Sequence, residues 1–189
     1  AKEILEDMQV FTKTGMYYPA KDILFYSADV HSMEMNRQRF LVVEKLLEGK
    51  CPLIVASVEA LLDRYPKKDV FASFLLTLHV GKVRELSDLT KQLGFMGYER
   101  AELVESPGQF AVRGGILDVY PLTADDAVRI EFWDDEIDSI RTMDAQSQRS
   151  VDKLNTVTIF PMRELVYDEE TAKAAADKME ADYKEALKK

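Results

Sequence analysis

Three side chains stand out for the chemistry they could do: Arg113 in "GQFAVRGGILDVYP" (108–121), and Arg129 and Trp133 in "AVRIEFW" (127–133). Arginine offers a rigid fork of donors that matches a carboxylate, and tryptophan offers a large apolar contact area. Both types are enriched among the side chains that carry protein–protein binding energy. In the first run Phe110 and Val112 alternate with Gln109, Ala111 and Arg113. Gly114-Gly115 then breaks the alternation, as a bulge or a close backbone approach would. In the second run Val128, Ile130 and Phe132 share one face, and Arg129, Glu131 and Trp133 share the other. A polar strand face bearing the chain's single tryptophan predicts something that covers it. Two covers fit: Trp133 packs across the sheet while Arg129 pairs with a nearby carboxylate, or a partner protein sits on both.

Other chemistry is weaker. Asp134-Asp135-Glu136 falls between two strand patterns, where adjacent carboxylates serve a hairpin turn rather than a metal, and Asp138 on the following strand does not change that. His31 and His79 have no partner at metal-ligand spacing, and His79, inside an apolar run, is expected in the core. Cys51 is the only cysteine, so there is neither a disulfide framework nor a thiolate zinc cage. No GxxxxGK[ST] phosphate loop occurs, Gly114-Gly115 is not a dinucleotide fingerprint, and no nucleophile constellation can be assembled. The short basic cluster of Arg64, Lys67 and Lys68 fits solvated surface better than a DNA contact. No active site emerges.

The elements that must position these residues follow from pattern. A length of 189 residues suits one large or two small domains, with 47% hydrophobic and 31% charged residues, ordinary for a globular protein. A formal charge of −9 repels phosphate and argues against a main role in gripping nucleic acid. Neither a signal peptide nor a membrane-spanning run is visible, which predicts a cytoplasmic protein. Ile4, Leu5, Met8 and Val10 suit a short amphipathic helix, with no strand before it, so the chain is expected to start inside a domain. Phe40, Val43 and Leu47 define a second helix that stops at Gly49. Leu53 to Ala56 predict a strand buried on both faces of a parallel sheet, and Ser57 caps a helix that Tyr65-Pro66 closes. This is α/β organisation.

From residue 74 the pattern changes to a strand over 74–80, a helix over 85–97 ended by Gly97, and then strand after strand to Pro161. The strands are "RAELVE", "GQFAVRGGILDVYP", "AVRIEFW", "EIDSIRTMD" and "NTVTIFP", an antiparallel sheet with a packed helix. The tail from 168 reads as an amphipathic helix on an Ala172, Ala175, Met179, Tyr183 and Leu187 stripe. It either returns to the first domain or leaves as an exposed helix.

The blocks "GQFAVRGGILDVYP", "AVRIEFWDDEIDSIRTMDAQSQRS" and "TVTIFP", with "YYPAKD" and "IVASVEALLDRYP" before them, resemble the N-terminal region of bacterial transcription-repair coupling factors, the Mfd family. That region is itself similar to UvrB, the excision-repair subunit that binds UvrA. The likeness covers nearly the whole chain, and "DSIRTMDAQSQRS" is closer to the coupling factors than to UvrB. The resemblance implies a degenerate helicase-like (RecA-like) α/β domain without ATPase motifs, residues 1–69 and 162–189. Inserted in it would be an α+β domain of mainly antiparallel sheet over 70–161, like the second domain of UvrB.

It also implies that the inserted domain binds UvrA, and that Arg113, Arg129 and Trp133 fall on the binding positions. Trp133 stands where many relatives have phenylalanine. The two arginines would meet acidic groups of UvrA, with Trp133 as a buried anchor between them. The chain would be a non-enzymatic, cofactor-free fragment of an ATP- and Mg-dependent DNA translocase that meets RNA polymerase and double-stranded DNA through other domains. The docking surface would stay masked until the factor engages a stalled polymerase. Two rivals differ in kind. A UvrB fragment would carry an upstream phosphate loop and a DNA-gripping hairpin, and the sequence has neither. An unrelated α/β metabolic enzyme would need a pocket of convergent titratable residues.

Overall fold

In chain order a helix-rich α/β part with a two-stranded parallel sheet precedes a sheet-rich part. The computed structural model describes residues 2–21, 29–50, 53–62, 65, 67–163 and 169–187. Cys51 and Arg64 lie outside the described residues. The first part runs α1 (Lys2–Met8), β1 (Gly15–Tyr18), α2 (Asp29–Leu47), β2 (Leu53–Ala56) and α3 (Val58–Leu61). Strands β1 and β2 pair in parallel, Gly15 opposite Leu53 through Tyr18 opposite Ala56. The expectation of a doubly buried strand needs correction: β2 is half-buried along its length, because a two-stranded ribbon is not sandwiched between layers. Gly49 takes φ +69° beyond the end of α2, a left-handed position that only glycine adopts without strain. Ser57 caps α3 by accepting a hydrogen bond from the Ala60 N–H at 3.3 Å.

A buried cation, not anticipated from sequence, organises this part. Arg39 is fully enclosed, stacked 4.3 Å from the Tyr18 ring centre, and donates to the Pro19 carbonyl at 2.5 Å. A charge is kept out of water only with such partners around it.

The second part follows α4 (Lys68–Ser73). Strand β3 (Leu76–His79) pairs antiparallel with β10 (Thr156–Ile159), and helix α5 (Leu86–Phe95) lies between β3 and the main sheet in sequence. That sheet has six strands in chain order: β4 (Glu99–Arg100), β5 (Gln109–Arg113), β6 (Ile116–Val119), β7 (Ala127–Trp133), β8 (Glu136–Met143) and β9 (Ser150–Leu154). All neighbours are antiparallel except β4 and β5. Its apolar face brings Leu117, Val128, Ile130, Ile137 and Ile140 against Leu89 and Leu93 of α5 and Leu76 and Leu78 of β3. Each such side chain stabilises the fold by about 1.5–3 kcal/mol relative to exposure. A second cluster, Phe40, Phe71, Leu122 and Phe160, joins α2 and α4 to the sheet part. An ion pair of 2.7 Å between Arg37 and Asp125 lies beside it.

Four expectations change. Of the predicted strand "RAELVE" (100–105) only Arg100, the last residue of β4, is in a strand, since bends occupy 102–103. Of the bulge or close backbone approach expected at Gly114-Gly115, the bulge gives way to the two-residue turn of a hairpin, with Arg113 opposite Ile116, while the close approach holds at Gly115. Gly114 at φ +60° supplies the left-handed residue such a turn requires. At Gly115 a Cβ would stand 3.0 Å from the Phe132 carbonyl oxygen, because β7 closes in on the turn. His79 is exposed at the end of β3, its Nδ1 2.9 Å from Thr156 Oγ1, since the strand buries alternate residues and His79 falls on the outer set. Strand β9 arises from a stretch in which no strand was expected. Of the two fates open to the tail, α6 (Glu169–Ala186) takes the exposed one, with Met179 and Tyr183 facing solvent.

Candidate protein-docking face

The face of the six-stranded sheet opposite the core carries the residues singled out by type. Register fixes which of them meet. Ala111, Asp118, Arg129, Arg141 and Lys153 lie in one row across β5 to β9. Arg113, Ile116, Glu131 and Ser139 form the next row. Trp133 and Glu136 form a third, which Val83 extends by bridging to Glu136. Directly opposed residues point to the same side of a sheet at spacings of about 4.5–5.5 Å. A register shift after Glu131, where Ile137 and Ser139 bracket an unpaired Asp138, keeps Ile137 and Ile140 in the core while Trp133 stays outside.

Asp118 is the centre of this face. It is 1% exposed, and its carboxylate receives three N–H groups from two arginines. Arg129 donates Nε to Oδ1 at 2.7 Å and Nη2 to Oδ2 at 2.8 Å, a side-on fork, and Arg113 donates Nη2 to Oδ2 at 2.5 Å. Arg129 also reaches the Gln148 carbonyl with Nη1 at 3.3 Å. Hydrogen bonding to Asp118 raises the already high pKa of the Arg129 guanidinium. Gln148 holds φ +58° in the β8–β9 loop, and its side chain donates to the Val104 and Ala145 carbonyls at 3.0 and 2.7 Å. The same loop is pinned by Asp144, which accepts from the Ser147 N–H at 2.6 Å; hydrogen bonding from the Ser147 side chain first, and from its backbone N–H, holds the Asp144 carboxyl below the usual range. A strained residue and an Asx-type turn thus aim one carbonyl at Arg129.

Exposure separates the three predicted residues. The Arg113 side chain is 42% exposed, that of Arg129 only 15%, and Trp133 is 81% exposed at the β7–β8 hairpin. Trp133 therefore does not stand between the arginines: it lies two residues beyond Glu131 on β7, outside both. Asp134 and Asp135 are the hairpin's two connecting residues, Asp134 at φ +56°. Among the described residues no cluster of His, Cys, Asp and Glu could hold a metal, and no helix is long and apolar enough to cross a membrane.

Residues 76–165 match the family described as the UvrB interaction domain, a span containing every residue of this face. Residues 76–165 are similar to that family. Over the longer chain, 186 residues are 37% identical to the transcription-repair-coupling factor of Bacillus subtilis, covering 98% of this chain and 15% of that protein. The UvrABC system protein B of Fervidobacterium nodosum is 33% identical over 174 residues, covering 92% of this chain and 26% of that protein. A Staphylococcus aureus transcription-repair-coupling factor is 30% identical over 166 residues, covering 88% of this chain and 14% of that protein. The chain thus spans between about a seventh and a quarter of the length of these relatives. Within residues 76–165 the structure brings Arg113 and Arg129 together on Asp118, which sequence reasoning missed. Arg141, whose buried Nε has no hydrogen-bond partner among the described residues, and Lys153 were missed as well.

Proposed function

We propose that this chain is part of a transcription-repair coupling factor, and that its sheet face docks UvrA to bring excision repair to a stalled RNA polymerase. The observation that carries this is a guanidinium pair fixed on the solvent side of an interaction domain, with the single tryptophan standing exposed beside it. In the two arginine rows, four cations (Arg113, Arg129, Arg141 and Lys153) face two carboxylates (Asp118 and Glu131), a local excess of positive charge on a chain of net charge −9. Such a contrast steers an acidic patch of a partner to this face and sets its register.

Docking needs no bond-making. Arg113 offers its free donors to carboxylates of UvrA, and Trp133, with Val83 in its row, supplies apolar area that becomes buried on binding. No cofactor takes part here. ATP and Mg would serve other regions of a full-length cytoplasmic translocase, which would also hold the contacts to RNA polymerase and double-stranded DNA. Residues 70–161 would form the docking domain, and 1–69 with 162–189 a helicase-like domain lacking ATPase motifs. A UvrB fragment would present the same domain; identity and the share of this chain covered are higher for the Bacillus subtilis coupling factor than for the Fervidobacterium nodosum protein, whereas the Staphylococcus aureus coupling factor is lower than both. Size-exclusion chromatography of the chain with purified UvrA tests the proposal. Co-elution that Trp133→Ala and Arg113→Ala together abolish is the expected result, and separate elution of the wild-type chain would refute it.

A further inference from the structure

We infer that Asp118 is a positioning residue for docking: its buried carboxylate holds the Arg113 guanidinium in the pose that a partner's acidic groups meet, an inference that rests on the UvrA reading above. Asp118, 1% exposed, cannot itself touch a partner, yet it binds the side chain that can. The donors divide unequally. Arg129 commits Nε and Nη2 to Asp118 and Nη1 to the Gln148 carbonyl, and is largely covered. Arg113 commits only Nη2, and no other hydrogen bond of its side chain occurs among the described residues, so Nε and Nη1 remain available on an exposed surface.

Arg129 is thus the strut of the site and Arg113 its presented group, with Asp118 linking them across three strands. The carboxylate serves in two ways. It neutralises part of the repulsion between guanidinium groups that share one acceptor, and it fixes a long side chain before binding, so that less rotamer freedom is lost in the complex. A short strand that is apolar at every position but 118 is otherwise a poor place for a buried acid, since an aliphatic residue at 118 would pack without any charge to satisfy.

The test is a calorimetric titration of UvrA with the wild-type chain, Asp118→Asn, Arg113→Ala and the double variant, each checked for cooperative thermal unfolding. Asp118→Asn keeps the shape and both arginines but loses the charge, and should weaken binding at least tenfold. Arg113→Ala should cost at least threefold less affinity in the Asp118→Asn background than in the wild type. Unchanged affinity of a folded Asp118→Asn chain overturns the inference and leaves the docking reading intact. Strictly additive losses also overturn it, because Asp118 would then act independently of Arg113. Absence of binding by the wild type sinks the docking reading and this inference with it. Should Asp118→Asn not fold, NMR of the wild-type guanidinium groups decides: hindered rotation about Nε–Cζ of Arg113 in the free chain is expected, and free averaging overturns the clamp.

Discussion

Removing the Arg129 side chain should destabilise the fold far more than removing that of Arg113, although both bind the same carboxylate. Arg129→Ala deletes two charge-assisted hydrogen bonds, of 2.7 and 2.8 Å, to an acid that is 1% exposed. Taking one partner from a buried ion pair costs about 3–5 kcal/mol, because the other charge stays behind. Asp118 keeps its contact with Arg113, which places the expected loss near the lower end, about 3 kcal/mol. Arg113→Ala removes one bond from a side chain that is 42% exposed, where solvent already screens the charge, and should cost about 0.5–1 kcal/mol. Urea unfolding with linear extrapolation measures both values. A second substitution checks the cause: adding Asp118→Ala to Arg129→Ala removes the stranded carboxylate and should restore about 1–2 kcal/mol. The reasoning fails if Arg129→Ala costs less than about 1 kcal/mol, or if the double variant is no more stable than the single.

Trp133→Ala should leave unfolding unchanged but weaken UvrA binding by about 2 kcal/mol, roughly 30-fold; the 19F signal of a fluorotryptophan at this lone site should shift on adding UvrA, and a signal indifferent to UvrA would count against the docking reading. Gly115→Ala puts a Cβ 3.0 Å from the Phe132 carbonyl oxygen in a hairpin where Phe132 N–H also donates to the Gly115 carbonyl at 2.8 Å. With backbone on both sides the loss should be about 1–3 kcal/mol by urea unfolding, and a neutral result would show that the β6–β7 pair can part locally. Desolvation, with help from Glu48, raises the Glu44 carboxyl pKa against the opposing pull of Lys45 and Thr123. The folded chain therefore holds this proton to higher pH than the unfolded chain, and the associated stability is lost as pH rises through the raised value. Glu44→Gln should flatten that part of the stability–pH curve and raise stability at neutral pH; an unaltered curve would refute the assignment.

Much of the site was legible in the alternation of "AVRIEFW", which put Arg129 and Trp133 on one face, where the structure has them. Asp118 was hidden by one misread turn. Taken as a bulge, Gly114-Gly115 leaves residues 109–119 as one strand with no internal partner. Taken as a two-residue hairpin, it sets Arg113 opposite Ile116 and Ala111 opposite Asp118, which brings the acid within reach of Arg113. Pairing of Asp118 with Arg129 then depends on the β6–β7 register, set by a longer connection that turn chemistry does not dictate. Strand β9 escaped because its residues are exposed except Leu154, so an edge strand shows little hydrophobic period. Arg39 escaped for the opposite reason: on a helix a lone arginine suggests solvent, and only the Tyr18–Tyr65 pair from elsewhere in the chain explains its burial.

The most direct test of the docking claim is isothermal titration of purified UvrA with the 189-residue chain, beside Arg113→Ala, which removes the exposed guanidinium with little cost to the fold. The account predicts saturable binding by the wild type that weakens steeply with added salt, and at least a tenfold lower affinity for the variant. No heat of binding with the wild type, or equal affinity for the two proteins, would contradict it.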